Sequence, residues 1–338
     1  MDIKKTFLLF IVLFAAFTIP CYAYDIEYGC SVRIGIIDSG ANADKVAITQ
    51  GYNFLEDNTD ITDNKGHGTK IAQIISDIVP KAELIALKCT EYNQNNDNSA
   101  IIKAIYKAVD DYKCDVLNIS IGMPDTEELE KAVDYAVCRG CIIVSAAGND
   151  GEISYKKDKI YYPAGYENVI GVGAVDENNV VCDYSQKNNS VFITTKSVNG
   201  TSFAAEKITG AAALAKQFDK RLTAPLFMQF LRKATIDYGD VGYDTSYGYG
   251  VFDFDFFQKA LVSNYSLLVT EKKDGFVTVC NLNDNDVTAK VLCTGDTIDC
   301  KEILFESKEK TQIDIKNITK CFIWQKSISN IVWIERGE

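Results

Sequence analysis

The pattern of apolar and polar positions between residues 31 and 175 alternates between two kinds of segment. Short continuous apolar runs, which are typical of buried strands, occupy residues 31–38, 83–89, 115–121, 141–147 and 169–175. The segments between them carry apolar residues at helical spacing, at Ile71, Ile74, Ile75 and Ile78, at Ile101, Ile105, Ala108 and Val109, and at Leu129, Val133 and Ala136. This alternation predicts an α/β fold, with a mostly parallel sheet that helices cover on both faces. The carboxyl edge of such a sheet is where function is expected.

The pattern changes near residue 263. Residues 265–338 hold short alternating runs such as GFVTVCNL, VTAKVL and NIVWI, separated by Asp, Asn and Gly, and they contain no helical stripe of useful length. Such runs are typical of antiparallel strands and predict a small C-terminal β-sandwich domain. We therefore divide the chain into an N-terminal segment, residues 1–23, an α/β domain, residues 24–262, and the β-sandwich domain, residues 263–338.

Residues 1–23 have the pattern of a secretory signal peptide. Lys4 and Lys5 precede the apolar run of residues 7–17, and small residues lead to a cleavage site after Ala23. The apolar run is shorter than the roughly 20 residues that a membrane-spanning helix needs, so an uncleaved anchor is the weaker interpretation. We expect a secreted, extracellular protein without a transmembrane segment.

Composition and charge narrow the range of partners. The 338 residues are 47% hydrophobic, which is ordinary for a folded protein. The 35 basic and 47 acidic residues give a formal net charge of -12, so nucleic acid and anionic membranes are poor partners.

The eleven cysteines of the chain become ten when Cys21 is removed with the signal peptide, and these ten could form disulfides or remain buried free thiols. A zinc site is disfavoured because the chain has a single histidine.

Four polar residues stand where catalytic groups are expected, although each has an ordinary structural explanation. Asp38 closes one buried strand and Asn149 comes at the end of another, where Asp and Asn also begin turns. His67 is the only histidine and stands between two glycines at the start of a helical stripe. Ser202, in NGTSFAAEKITG, opens another helical segment, where serine is also a common capping residue. Their combination indicates function more strongly than any one of them.

The segments IGIIDSG, GHGT, NISIG, AAGN and GTSFAA, together with YYPAGYENVIGVGAVD, resemble the motifs of subtilisin-like serine peptidases. The resemblance runs from about residue 32 to residue 261 and follows that family's order of Asp, His and Ser. It implies that Ser202 is the nucleophile, that His67 is its general base, and that Asp38 orients the imidazole. It further implies that Asn149 and the backbone N–H of Ser202 bind the oxyanion of the tetrahedral intermediate.

The same resemblance implies a cleft for polypeptide substrates. The residues implied to bind substrate are Ser120, Ile121, Gly122, Ala147, Gly148 and Tyr161. The first three correspond to an exposed edge to which a peptide adds as a strand, and the next two to a wall of the pocket for P1, the residue before the cleaved bond. Tyr161 falls near the floor of that pocket, where the family often has a smaller residue. We therefore expect a shallow pocket that prefers Ala, Ser or Gly.

The chain departs from the family pattern in three places. Glu206 stands where the family usually has proline; in the first helical turn it would suit the helix dipole, and its charge would raise the basicity of His67. The segment ISDIVPKAEL runs directly into the next predicted strand, so no tight calcium site is expected there, and no ligand-spaced loop marks one elsewhere. About fifteen residues separate Ala23 from Asp38, which leaves no room for the family's long propeptide.

These features predict a secreted, monomeric serine endopeptidase that cleaves polypeptides through an acyl-enzyme and uses no cofactor. The alternative is a catalytically inactive family member that keeps the fold in order to bind a partner. The presence of all four implied catalytic residues favours the enzyme, because a site released from function would be expected to lose at least one.

Overall fold

The computed structural model describes residues 31–92, 98–197 and 199–264, together with seven strand segments between residues 267 and 335. The predicted signal peptide, residues 1–23, lies outside the described residues. Within the described part of the chain, none of the helices combines the length and the apolar character that crossing a bilayer requires.

A nine-stranded sheet forms the centre of the first domain. Its strands are β1 (Arg33–Asp38), β2 (Gln50–Asn53), β3 (Glu83–Lys88), β4 (Val116–Ile119), β5 (Ile142–Ala146), β6 (Val169–Val175), β7 (Ile193–Lys196), β8 (Thr235–Ile236) and β9 (Val251–Phe252). They lie in the order β2-β3-β1-β4-β5-β6-β7-β9-β8, and all neighbours pair in parallel except β8 and β9. The five predicted strands are confirmed to within two residues at each end. The four that the pattern does not predict contain only two to four residues each.

Helices cover both faces of this sheet. They are α1 (His67–Ile78), α2 (Asn98–Asp110), α3 (Glu127–Cys138), α4 (Thr201–Phe218), α5 (Ala224–Lys233) and α6 (Phe254–Asn264). One buried core contains residues of α1, α4, α5 and α6, and a second contains residues of α2 and α3. Along β1, Ile36 belongs to the first core and Ile37 to the second, because successive side chains of a strand point to opposite faces. The predicted α/β fold is confirmed.

The C-terminal region contains seven strands that pair antiparallel. They are β10 (Leu267–Lys273), β11 (Phe276–Asn281), β12 (Val287–Gly295), β13 (Ile298–Phe305), β14 (Lys310–Asp314), β15 (Ile318–Gln325) and β16 (Ile331–Glu335). They form a three-stranded sheet, β10-β11-β14, and a four-stranded sheet, β13-β12-β15-β16. The predicted boundary at residues 262–263 falls in the last turn of α6. Almost all side chains of these strands lie outside the described residues. The packing of the two sheets into a β-sandwich therefore stays a prediction.

The cysteines with described side chains are free thiols, and most of them are buried. They are Cys89, Cys114, Cys138, Cys141 and Cys182. Burial raises the pKa of the Cys141 thiol to about 12, so at neutral pH this side chain is an uncharged apolar group. None of these five residues forms a disulfide, and Cys89, Cys114 and Cys141 match the expectation of buried free thiols, whereas Cys138 is exposed and Cys182 is partly buried.

Glu206 is buried inside the fold rather than presented at a helix end. It is the sixth residue of α4 and has no exposed surface, so the expectation that it lies in the first helical turn is wrong. Neither of its carboxyl oxygens has a hydrogen-bond partner among the described residues. Burial, reinforced by the negative charge of Asp38 and only partly offset by Lys70 and Lys207, raises the pKa of Glu206 to about 9. Glu206 is therefore neutral at pH 7, and the expectation that its charge raises the basicity of His67 is also wrong.

This buried acid makes stability depend on pH. In the folded chain Glu206 keeps its proton up to about pH 9, whereas in the unfolded chain it loses the proton near its ordinary pKa of 4.5. Between these values the folded state binds more protons, so the free energy of unfolding falls as pH rises, by up to about 1.4 kcal/mol per pH unit. We expect Glu206→Gln to gain stability over the wild type progressively from pH 5 to pH 9, as measured by urea denaturation.

The exposed Glu152 supplies a matched control, since Glu152→Gln removes a carboxylate that stays in water. Its difference from the wild type should stay constant over the same pH range. A constant difference for Glu206→Gln as well would show that the Glu206 carboxyl is ionised and compensated in the folded protein.

Candidate active site

The carboxyl end of β1 and the amino end of α1 meet at one edge of the sheet. Asp38 is the last residue of β1 and is fully buried, and His67 is the first residue of α1. Nδ1 of His67 lies 2.8 Å and 3.0 Å from the two carboxylate oxygens of Asp38. This contact leaves Nε2 as the ring nitrogen that is open to another partner, and the His67 side chain is 24% exposed.

Ser39 connects this pair to the start of α1. Its backbone N–H donates to Asp38 at 2.7 Å, and its hydroxyl oxygen lies 3.1 Å from Asp38 and 2.9 Å from Asp63. The same hydroxyl oxygen accepts the N–H of Gly68 at 3.0 Å. One serine therefore ties the end of the strand to the first turn of the helix.

Asp63 satisfies the N–H groups at the start of α1. One of its oxygens accepts from the N–H groups of Gly66 and Lys65, and the other accepts from the N–H and hydroxyl of Thr69 at 2.8 Å and 2.6 Å. Burial alone would raise the pKa of Asp63, but hydrogen bonds from Thr69, Gly66 and Ser39 outweigh it and hold the pKa below its ordinary value. An ionised carboxylate here also suits the helix dipole.

The two glycines beside His67 have separate reasons to be glycine. Gly66 has a φ of 76°, a left-handed conformation that side chains disfavour. A Cβ at Gly68 would stand 2.2 Å from the carbonyl oxygen of Gly40 and 3.1 Å from Cβ of Asp38. The backbone must approach this closely for the imidazole to reach the carboxylate.

Asn149 and Ser202 lie at the neighbouring start of α4. Ser202 is the second residue of this helix and is 6% exposed. Asn149 follows β5, and its Oδ1 accepts both the N–H and the hydroxyl of Thr201, at 2.8 Å and 3.0 Å. Because a backbone N–H can only donate, the Oδ1 end of the amide is assigned by this contact, and Nδ2 is left as a donor.

The two halves of the candidate site adjoin each other. The ring of Phe203, the residue after Ser202, lies 5.5 Å from the ring of His67. The hydrogen bonds of these described residues do not include one between Ser202 and His67. In enzymes without substrate this bond is commonly long and tightens in the reacting complex.

The ring of Tyr161 lies between the two segments that were expected to form the P1 pocket. A Cβ at Gly122 would stand 3.1 Å from this ring, and a Cβ at Gly148 would stand 2.7 Å from it. The Tyr161 hydroxyl donates to the carboxylate of Asp150, and the ammonium of Lys159 lies 4.6 Å from the ring centre. Burial and this hydrogen bond raise the pKa of Tyr161, so its hydroxyl stays protonated as a donor.

The other implied substrate residues lie at the ends of β4 and β5. Ser120 bonds to Asn118, whose amide in turn donates to Thr209 of α4 at 2.9 Å. Ser120 and Ile121 are only 7% and 2% exposed, so of the three residues expected to form an exposed edge only Gly122 is exposed. Ala147 is fully buried.

Tyr92 is a contact of the site that the sequence pattern does not reveal. Its hydroxyl lies 2.8 Å from Nδ1 of His67 and 3.2 Å from both carboxylate oxygens of Asp38. It belongs to a polar segment whose composition is typical of a solvated loop.

The sequence gives a weak indication of the role of Asp63, since an Asp shortly before a helix start is a common capping residue. Among the residues that the structure describes, no three His, Cys, Asp or Glu side chains group as metal ligands would.

Comparison with known proteins identifies the family. A family model described as the subtilase family matches residues 29–250. The intracellular serine protease of Paenibacillus polymyxa is 31% identical over 249 residues, which cover 63% of this chain and 76% of that protein. Subtilisin DY of Bacillus licheniformis is 32% identical over 249 residues, which cover 66% of this chain and 89% of that protein.

A solved structure supports the same assignment at the level of the fold. The crystal structure of a lanthipeptide protease matches with a TM-score of 0.60 at 24% identity, covering 70% of this chain and 88% of that one. The mostly parallel sheet and its covering helices are therefore those of subtilisin-like proteins. The chain belongs to the subtilase family and is a serine-type endopeptidase.

Proposed function

We propose that Asp38, His67 and Ser202 form a catalytic triad that hydrolyses peptide bonds through an acyl-enzyme. The observation that carries the proposal is the 2.8 Å contact between buried Asp38 and Nδ1 of the chain's only histidine. The adjoining start of α4, which holds Ser202 and bonds to Asn149, supports it further. A polypeptide is the substrate, and apart from the water that hydrolyses the ester the proposed steps use only side chains and backbone of this chain.

The first step is activation of the serine hydroxyl. Asp38 accepts a hydrogen bond from Nδ1–H of His67, which leaves Nε2 as the unprotonated nitrogen that is able to act as a base. As the Ser202 oxygen attacks the substrate carbonyl carbon, its proton passes to Nε2. The imidazolium that forms is stabilised by the carboxylate of Asp38.

The attack leaves a negative charge on the former carbonyl oxygen. Asn149 is suited to bind this oxyanion, because Thr201 holds its Oδ1 and leaves Nδ2 as a donor. The backbone N–H of Ser202, in the first turn of α4, is the second donor, and the helix dipole favours negative charge there. Loss of one side-chain donor of this kind typically lowers kcat by about 10²–10³.

The intermediate then breaks down to products. His67 gives its proton to the leaving amine, the carbon–nitrogen bond breaks, and an ester to Ser202 remains. Water attacks this ester while His67 takes one of its protons. Collapse of the second intermediate returns that proton to Ser202 and releases the carboxylic acid.

Tyr161 makes small residues the preferred P1 side chains. Its ring stands against Gly122 and Gly148, the residues proposed to line the two sides of the pocket, and Asp150 and Lys159 hold it there. The space that a large P1 side chain would enter is thereby reduced. Backbone groups of residues 120–122 are proposed to pair with the substrate as an added strand.

Secretion is proposed from residues 1–23 alone, where two lysines precede an apolar run and a small-residue cleavage site. Family membership does not decide the compartment, since one matched relative is named an intracellular protease. We further propose that the enzyme acts as a monomer and needs no cofactor.

A fluorophosphonate probe tests the triad. The probe reacts only with an activated serine, so we expect the wild type to be labelled and Ser202→Ala and His67→Ala to remain unlabelled. Peptide hydrolysis by either variant should fall by on the order of 10⁶. Labelling is read by fluorescence after gel electrophoresis, with circular dichroism to verify folding.

Ser154→Ala, at an exposed serine, is the control and should label as the wild type does. A folded wild-type protein that never labels would contradict the triad and would favour the alternative of a catalytically inactive family member.

A peptide library tests the P1 pocket. The wild type should cleave after Ala, Ser or Gly, whereas Tyr161→Ala should accept Phe and Leu with kcat/KM raised about tenfold to a hundredfold, because the ring no longer fills the pocket. Tyr155→Ala is the matched control, since Tyr155 is 83% exposed on the same connection. Cleavage by the wild type mainly after Phe or Leu would contradict the proposed preference.

A further inference from the structure

Tyr92 contacts both Asp38 and His67 at the point where these two side chains meet. Its hydroxyl oxygen is as close to Nδ1 of His67, at 2.8 Å, as the nearest Asp38 oxygen is. It also lies 3.2 Å from each of the two Asp38 oxygens. The two aromatic rings meet edge to face, with centroids 5.1 Å apart.

The hydrogen-bonding roles at this junction follow from the donors present. Nδ1 carries a proton when it faces a carboxylate, so the Tyr92 oxygen can accept part of that N–H. The Tyr92 proton must then point to Asp38, which is the remaining acceptor. Burial and the charge of Asp38 raise the pKa of Tyr92, so the hydroxyl keeps the proton that this arrangement needs.

The backbone shows that this position of Tyr92 is held by its contacts. Tyr92 has a φ of 52°, a left-handed conformation that is uncommon for a bulky residue. Its N–H donates to the hydroxyl of Thr90 at 2.8 Å, which fixes the turn. The residue is 40% exposed, yet its hydroxyl contacts the fully buried Asp38. Its ring therefore covers the outer side of the junction between Asp38 and His67.

We propose that Tyr92 is a positioning residue, which holds His67 with Nδ1–H directed at Asp38 and shields that hydrogen bond from water. It acts through His67 and touches neither the substrate nor the bond that is cleaved. The catalytic meaning of this role rests on the proposed triad, whereas the shielding itself does not.

The single histidine makes the test direct. In protein labelled with ¹⁵N-histidine, the imidazole Nδ1 proton belongs to His67 without ambiguity. Its exchange rate with water is measured by NMR in a Ser202→Ala background, which prevents self-digestion. Tyr92→Phe keeps the ring and removes only the hydroxyl, and it should raise this exchange rate about threefold to tenfold, the effect of one neutral hydrogen bond.

Tyr135→Phe is the matched control. The Tyr135 hydroxyl donates to Asp110 at 2.7 Å, so the variant loses the same type of bond at a distance from the candidate site. It should leave the exchange rate of the His67 proton unchanged. In the active enzyme, Tyr92→Phe should lower kcat about threefold to tenfold with KM unchanged, because a misplaced imidazole weakens only the transition state.

The outcomes separate this inference from the proposed function. An exchange rate that is the same in Tyr92→Phe, or a His67 proton that exchanges too fast to observe in the parent, would overturn the positioning role whether or not the protein cleaves peptides. A wild type that shows the shielded proton but never hydrolyses a peptide would leave the positioning role standing and overturn the triad. A lowered kcat with an unchanged exchange rate would also count against Tyr92 as the shield.

Discussion

The pairing of a fully buried carboxylate with an imidazole is the interaction on which the candidate site depends. A buried charge is costly unless hydrogen bonds compensate it, and Asp38 receives them from Ser39, His67 and Tyr92. β1 lies between β3 and β4 inside the sheet, so this carboxylate is held on a rigid element. The histidine comes to it because α1 begins at the same edge.

The start of α1 is organised around this requirement. Asp63 accepts the N–H groups of Gly66 and Thr69, and Ser39 links Asp63 to Asp38, so the strand end and the helix start form one hydrogen-bonded unit. The close approach leaves no space for a side chain at Gly68. Substitutions around His67 therefore act on the position of the imidazole as well as on the stability of the helix.

The helix that carries Ser202 is buried along most of its length, and this has a cost at Glu206. Burial removes the carboxyl of Glu206 from water and disfavours its charged form, and the negative charge of Asp38 disfavours that form further. The protein resolves the conflict by keeping Glu206 protonated.

Many of the secondary-structure elements and candidate site residues could be predicted from the sequence, because the patterns that indicate them are local. Apolar periodicity predicted five strands and three helices, and short motifs in a fixed order singled out Asp38, His67, Asn149 and Ser202. Strands of two to four residues are too short to carry such a pattern. The tertiary structure alone decided the protonation of Glu206, the hydrogen bond from Tyr161 to Asp150, and the contact of Tyr92 with His67. Each of these depends on burial, or on neighbours that are remote along the chain and meet only when the sheet and its helices have assembled.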